Sequence, residues 1–435
     1  MNRVRQNSMK ALWIKMIVVG MTLGTAWAVR GQFGHEQGAA WAGAIGALGL
    51  VLVAKRADWW KRISQVALAA AVGWGAGGII SYGRVVGYGR SDDLFNAFYG
   101  LLMLFVIGGL FGLLGGGLTG LALESSKEKK VNWAALLVEM VVGGLLFYGF
   151  LIMQLGIAMT PPRSEAWAFI LGAGLAMVWH MARKGFSSSL RVAVYAMLGA
   201  GFGFASGNFL QILGNVLNIP FNMWNVMEYN IGFWGGIGLA YGVLSSAWPD
   251  VSDEQPKKWE ITSALLLILV FVPAVIFKES LTVSKLAKNF DSYSVSKSIA
   301  VLSSLLALAG MLLVAFINFF NYRRNKSVAG QREAFLLFVS YFALYIFISF
   351  VATGLFAGKI HSNHVLYLVN IVLILFLIRF YRNRAESDHS EIESMNILRV
   401  WPYCLVALIL IIFLLSFISV SIHGELSGAH NRFTI

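Results

Sequence analysis

Residues 27–49 read WAVRGQFGHEQGAAWAGAIGALG. Two apolar runs thick with glycine and alanine meet there at RGQFGHE, so Arg30, His35 and Glu36 stand between segments that avoid water. Whether that junction lies in solvent or at a membrane decides the fold, and composition answers the question. Of 435 residues, 58% are hydrophobic and only 13% charged, with a mean hydropathy of +0.70. Apolar runs repeatedly reach the roughly 20 residues that span a bilayer core. A soluble helical domain would have to bury such runs on every side, with too little polar surface left to face water. The chain therefore reads as an all-α, polytopic integral membrane protein. Its immediate partner is the lipid bilayer, and a bacterial cytoplasmic membrane is the expected location.

Working outward from this stretch, thirteen transmembrane helices are expected at 11–29, 36–54, 63–82, 98–123, 133–158, 166–181, 192–207, 229–247, 259–277, 298–320, 334–356, 365–378 and 397–422. With the amino terminus inside, 24 of the 34 Lys and Arg residues fall on the inner side, the bias that cytoplasmic loops carry. Omitting one span would invert every later assignment, so the count and the N-in, C-out orientation support each other. The first span continues into the glycine-rich texture of the next and reads as a retained helix, not a cleaved signal. The same bias accounts for the net charge of +13. In the absence of a recognisable nucleic-acid-binding module, it gives no reason to expect a nucleic-acid partner. The single cysteine, Cys404, lies in an apolar run and reads as a small packed hydrophobe.

Texture changes sharply near Trp248, before which 40 of the 46 glycines fall. Small residues let membrane helices approach closely. Residues 1–247 accordingly read as a glycine-rich eight-helix core, 248–258 as a cytoplasmic linker, and 259–435 as a five-helix region of bulkier residues. Within the core, helical hairpins resemble one another. VVGMTLGTAWAVRGQFG with GAAWAGAIGALG matches AVGWGAGGIISYGRVVG with GLLMLFVIGGLFGLLGGGLTG, and AMLGAGFGFASGNFLQILGN with YNIGFWGGIGLAYG has the same character. The pair within 133–181 fits less well. Such a repeat would be parallel, unlike the inverted repeats of many transporters, although shared composition alone also produces this likeness.

The external ends of the spans collect the unusual chemistry. One cluster is Arg30, Gln32, His35 and Glu36; a second contains Tyr82, Arg84, Arg90, Asp92 and Asp93; a third holds Arg163 and Glu165. The fourth runs from Asn208 through Gln211, Asn215, Trp224 and Glu228 to Asn230, broken by Pro220, and suggests a re-entrant or interfacial segment. Arginine forks suit carboxylates and phosphates, while amides beside aromatic rings suit a neutral polar ligand or a sugar. The competing structural reading pairs these arginines with Glu36, Asp92, Asp93 and Glu165 and leaves no ligand. His35 beside Glu36 is a candidate proton-transfer pair. Glu139, isolated in WAALLVEMVVGG, is a second proton-pathway candidate, because a charge at that depth must face protein or water.

The candidates for solute binding or gating are Arg30, His35, Glu36, Arg84, Arg90, Asn208, Gln211, Asn215, Trp224 and Glu228; those for a proton pathway are His35 and Glu139. No residue set has convincing metal-ligand spacing, and nothing calls for a cofactor. The leading reading is a transporter or permease for a small polar or anionic solute. A membrane enzyme with an external active site, and a channel or noncatalytic assembly protein, compete with it. A closed cavity reached from alternate sides, a fixed external cleft, a continuous pore and a cavity-free bundle would separate them.

Overall fold

The computed structural model describes residues 2–250, 256–291, 297–324, 330–382 and 397–433. Among these the regular structure is entirely helical. The major helices are α1 (Asn2–Arg30), α2 (Glu36–Ala54), α3 (Ile63–Gly78), α4 (Gly83–Gly89), α5 (Leu94–Glu124), α6 (Trp133–Gln154), α7 (Ala166–Lys184), α8 (Ser187–Val216) and α9 (Met223–Leu244). They continue with α10 (Lys258–Leu281), α11 (Lys297–Arg324), α12 (Gln331–Thr353), α13 (Ser362–Arg382) and α14 (Ile397–Ile422). Every expected span contains a helix. Among the described residues, eleven helices are long and apolar enough to cross a membrane, or twelve if α3 and α4 form one bent span. The protein is a multi-pass membrane protein by this measure.

Two departures from the expected pattern have physical causes. The span expected at 63–82 ends early: α3 and α4 meet at 65° across residues 79–82, where the glycine-rich sequence offers little resistance to a break. Helix α9 is long enough but falls short on apolarity, since it carries Asn225, Glu228 and Asn230 among glycines. It lies between α1 and α8, so protein rather than lipid receives its polar side chains. The re-entrant segment expected between Asn208 and Asn230 is absent. Asn208, Gln211 and Asn215 lie on α8, and Trp224 and Glu228 lie on α9. The expected linker at 248–258 falls partly outside the described residues.

Six helices close into a ring: α1 packs on α2, α2 on α3, α3 on α5, α5 on α8, α8 on α9, and α9 back on α1. Glycine permits the close approaches. A Cβ added at Gly112 on α5 would lie 2.0 Å from the Ala196 carbonyl oxygen on α8, so the helix backbones are already in contact there. The centre is filled by fully buried aromatic rings. Trp27 meets Trp74 edge to face at 5.2 Å and Phe111 at 5.6 Å, and Phe111 lies 6.0 Å from Phe204.

The α6–α7 hairpin packs outside the ring and exposes Leu145, Leu146 and Met153. The later helices flank the ring: α12 lies against α2, α13 against α1, and α14 against α5 and α8. On α2, Trp41 is stacked on both Tyr341 and Tyr345 of α12, at 5.0 and 4.7 Å. Leu312, Phe316, Val372, Leu410 and Leu414 remain exposed on the outer helices, as a lipid-facing surface requires.

Candidate functional site

Helix α1 ends on Arg30, which is 1% exposed and needs compensation for a charge removed from water. Its partner is Glu228, brought by α9: Nη1 donates to both carboxylate oxygens at 3.2 and 3.1 Å. The break between α3 and α4 supplies Tyr82, whose hydroxyl accepts from Arg30 at 2.7 Å and donates to Glu228 at 2.5 Å. The guanidinium also lies 5.2 Å from the Trp27 ring centroid and 5.6 Å from that of Tyr82, a favourable place for a buried cation. Three elements of the ring thus meet in one satisfied ionic network. The Arg30 Nε alone lacks a partner among its polar atoms.

A cavity of about 680 Å³ opens above this network. His35, Tyr82, Arg84, Arg163, Trp224 and Glu228 line it, with Gln32, Ser81, Asn222, Asn225 and His430 completing the polar wall. The His35 ring takes a hydrogen bond on Nδ1 from Arg30 Nη2 at 3.3 Å, because arginine has no acceptor to offer in return. Partial burial, then the positive charges of Arg30 and Arg163, push its pKa down to about 4. The imidazole is therefore neutral at pH 7. At the rim, the tail that follows α14 returns to the ring. The His430 amide donates to the Gly87 carbonyl at 3.0 Å, and its imidazole contacts Arg84.

The local-pairing alternative for the arginines fails at most positions. Arg30 pairs with Glu228, not with the exposed Glu36. Glu165 accepts from the backbone amides of Met159 and Thr160 and from the Trp167 indole, and Asp93 caps α5 through Asn96. Among the described residues Arg84 and Arg163 have no ion-pair partner, though both are exposed and line the cavity. Arg90 lies 5.2 Å from the Trp224 ring centroid and donates to the Ser427 carbonyl of the tail.

The sequence-derived candidates divide accordingly. His35, Arg84, Trp224 and Glu228 line one space, with Arg30 forming its floor and Arg90 backing Trp224. Glu36 is exposed and outside the lining, as is Asn215. Asn208 and Gln211 are fully buried and bonded to each other at 3.0 Å, outside the cavity. Their i, i+3 spacing places them on one helix face, a signal that could have marked them as an internal pair. Glu139 is not isolated: His180 and Arg183 reach it at 3.0 and 2.5 Å, at the other end of the bundle. Tyr82 and Arg163 matter more than their sequence context suggested. Nothing in the sequence pointed to His430.

The later helices buttress this site. Ser349 of α12 donates to Gln32 at 2.8 Å, and Asn225 is hydrogen-bonded to Tyr367 of α13 and to the Ala28 carbonyl at 3.0 Å. Among the described residues, no group of His, Cys, Asp and Glu could hold a metal ion. Neither a protein-family model, nor a curated protein, nor a solved structure matches the chain.

Proposed function

We propose that the protein is a membrane transporter for a small anionic solute, which enters the cavity above Arg30, Tyr82 and Glu228. The observation that carries this reading is a one-sided cavity lined by two arginines without acidic partners, Arg84 and Arg163, over a floor that joins three helices. Unpaired guanidinium groups attract and orient carboxylate or phosphate. A floor made from side chains of α1, α9 and the α3–α4 break is a natural gate, since parting those elements separates its members. Broken helices lining a site are a recurrent device of transporters.

The aromatic fill of the ring weighs against a continuous pore, and the cavity weighs against a purely structural bundle. An external enzyme remains the second reading, favoured by His35 and a carboxylate lining the same cleft. It is weakened because Arg30 and Tyr82 already engage that carboxylate.

Thirteen crossings, N-in and C-out, fit the same picture. The end of α1, the α3–α4 break, the start of α9 and the tail after α14 gather at the cavity, while Arg56, Arg62, Lys129 and Arg183 lie at the other end with Asp58, Glu124 and Glu139. The cavity side is then external, in a bacterial cytoplasmic membrane. We further read the three hairpins that close the ring as repeats; the outlying α6–α7 pair is the one whose sequence resembles them least. Proton coupling enters through His35, whose ring would gain a proton when an anion offsets the charges of Arg30 and Arg163.

Electrical recording on reconstituted proteoliposomes, with rapid exchange among gluconate, glucuronate, phosphate and succinate, tests the proposal. At least one anion is expected to give a saturable current or proton flux that Arg84→Gln and Arg163→Gln each reduce about tenfold or more. Signals that are absent for every anion, or indifferent to both substitutions, would overturn it.

A further inference from the structure

The cavity offers more than an anion needs. A bare phosphate or a short dicarboxylate would use the two arginines and leave most of 680 Å³ unfilled. The rest of the lining combines a ring face with amides. Trp224 is 44% exposed, with Arg90 at 5.2 Å from its ring centroid. Asn222 uses its Oδ1 to cap α9 through the Asn225 amide, which leaves its Nδ2 donors unengaged. Asn225 spends its Nδ2 on the Ala28 carbonyl and on Tyr367, which leaves its Oδ1 as an acceptor. Gln32 accepts from Ser349 through Oε1 and keeps its own donors. Donors and an acceptor in one wall, beside an indole, match hydroxyl groups, each of which both donates and accepts. Indole faces pack against the apolar C–H faces of such molecules.

Other anions fit less well. An amino acid would need a carboxylate for its ammonium group, and Glu228 is already held by Arg30 and Tyr82. A fatty or aromatic acid would leave the amides desolvated without partners, which disfavours it. Cations are disfavoured by Arg84 and Arg163.

Building on the anion-transporter reading, we propose that the solute is a polyhydroxylated anion of monosaccharide size, a sugar acid or a sugar phosphate. Its charged group binds Arg84 and Arg163, and its hydroxyl face lies against Trp224 and the amides of Asn222, Asn225 and Gln32. Both sources share this chemistry, with a carboxylate in one and a phosphate in the other at the arginine end.

The test measures binding to the full-length protein in nanodiscs, by tryptophan fluorescence and thermal shift. The probes are glucuronate, gluconate and glucose 6-phosphate, set against glucose, inorganic phosphate, succinate and AMP. At least one sugar anion is expected to bind at least about tenfold more tightly than each comparator. Preference for glucuronate or gluconate identifies the carboxylate source, and preference for glucose 6-phosphate the phosphate source. Trp224→Ala, Arg84→Gln and Arg163→Gln should each weaken that ligand about tenfold or more, each measured against the ligand-free melting temperature of the same variant, because Arg84 also contacts His430 and Trp224 lies beside Arg90. Thermal shift serves as the readout for Trp224→Ala, which removes a fluorophore. Tighter binding of succinate, phosphate or AMP than of any sugar anion would overturn the inference and leave the anion reading standing. Equal binding of glucose, or no binding by any anion, would remove both.

Discussion

The six-helix ring and the helices from α10 onward solve the same problem in different ways. In the ring, glycine brings backbones into contact, and the space gained holds a charged network and a cavity. In the later region, Leu, Phe and Ile keep the helices apart and face outward. The apolar windows of α2 and α14 are 89% and 17% buried, respectively. Helix α12 is the exception: Trp41 stacks on its Tyr341 and Tyr345, and Tyr345 donates to the Gly38 carbonyl at 3.0 Å. That contact ties the outer helices to the ring beside Arg30. The difference teaches that close packing here makes room for polarity, whereas bulk serves the lipid boundary and the bracing of the site.

The sharpest way to break this comparison is to add one methyl group to each region. At Gly112 a Cβ would lie 2.0 Å from a backbone oxygen of α8, so Gly112→Ala must push two helices apart. The expected loss is about 3 kcal/mol, at the upper end of overpacking effects. At Gly310 on α11 the nearest atom is Leu344 Cδ1 at 3.4 Å, an ordinary contact. Gly310→Ala should be neutral or gain up to about 1 kcal/mol through the stiffer unfolded chain. Unfolding titrations in mixed micelles measure both. Equal effects would mean that the glycines of the ring are compositional and not structural.

A smaller contrast separates two ionic networks. Glu228→Gln leaves Arg30, 1% exposed, without a counter-charge, and should cost about 3 kcal/mol. Glu139→Gln removes the partner of Arg183, whose side chain is 45% exposed, and should cost about 1 kcal/mol or less. Thermal melts of the two variants give the ratio. If Glu139→Gln were as damaging as Glu228→Gln, the opposite end of the bundle would hold a second essential polar centre.

The helices were legible from hydropathy, because it is a local property of the chain. The site was legible only in part. RGQFGHE drew attention to Gln32 and His35, which line the cavity, and Glu228 stood out as an acid among aromatics and amides. Their pairing spans 198 residues, and no local pattern encodes it. Arg30 has Glu36 six residues away, yet its α1 terminus points to α9. The break at residues 79–82 was hidden for another reason: SYGRVVG continues the apolar, glycine-rich texture, so the helix bends with no proline to announce it. Asn208 and Gln211 misled because an amide-rich stretch looks alike whether it faces a cavity or a partner side chain.

The smallest expected effect concerns the His35 imidazole at the cavity wall. In the unfolded chain this ring takes a proton near pH 6.5, whereas in the folded protein burial, Arg30 and Arg163 hold it neutral down to about 4. The unfolded state therefore binds more protons between these values, and stability contributed by the neutral ring above pH 6.5 is lost as the pH falls toward 4. Tyr82, Glu228, Arg84 and His430 also line the cavity that His35 faces. His430 is shifted downward as well, by burial and by Arg84 and Arg90, so it steepens the same limb. His35→Gln should flatten the fall in melting temperature between pH 6.5 and 4 without changing it at pH 8, where the ring is neutral in both states. Bound anion should restore part of the stability that the parent protein loses on acidification, since it favours the protonated ring, and should do nothing comparable for the variant. An acid limb identical in parent and variant would mean that the sensitivity lies outside the cavity, and the assignment of the protonation site to the ring's polar centre would fail with it.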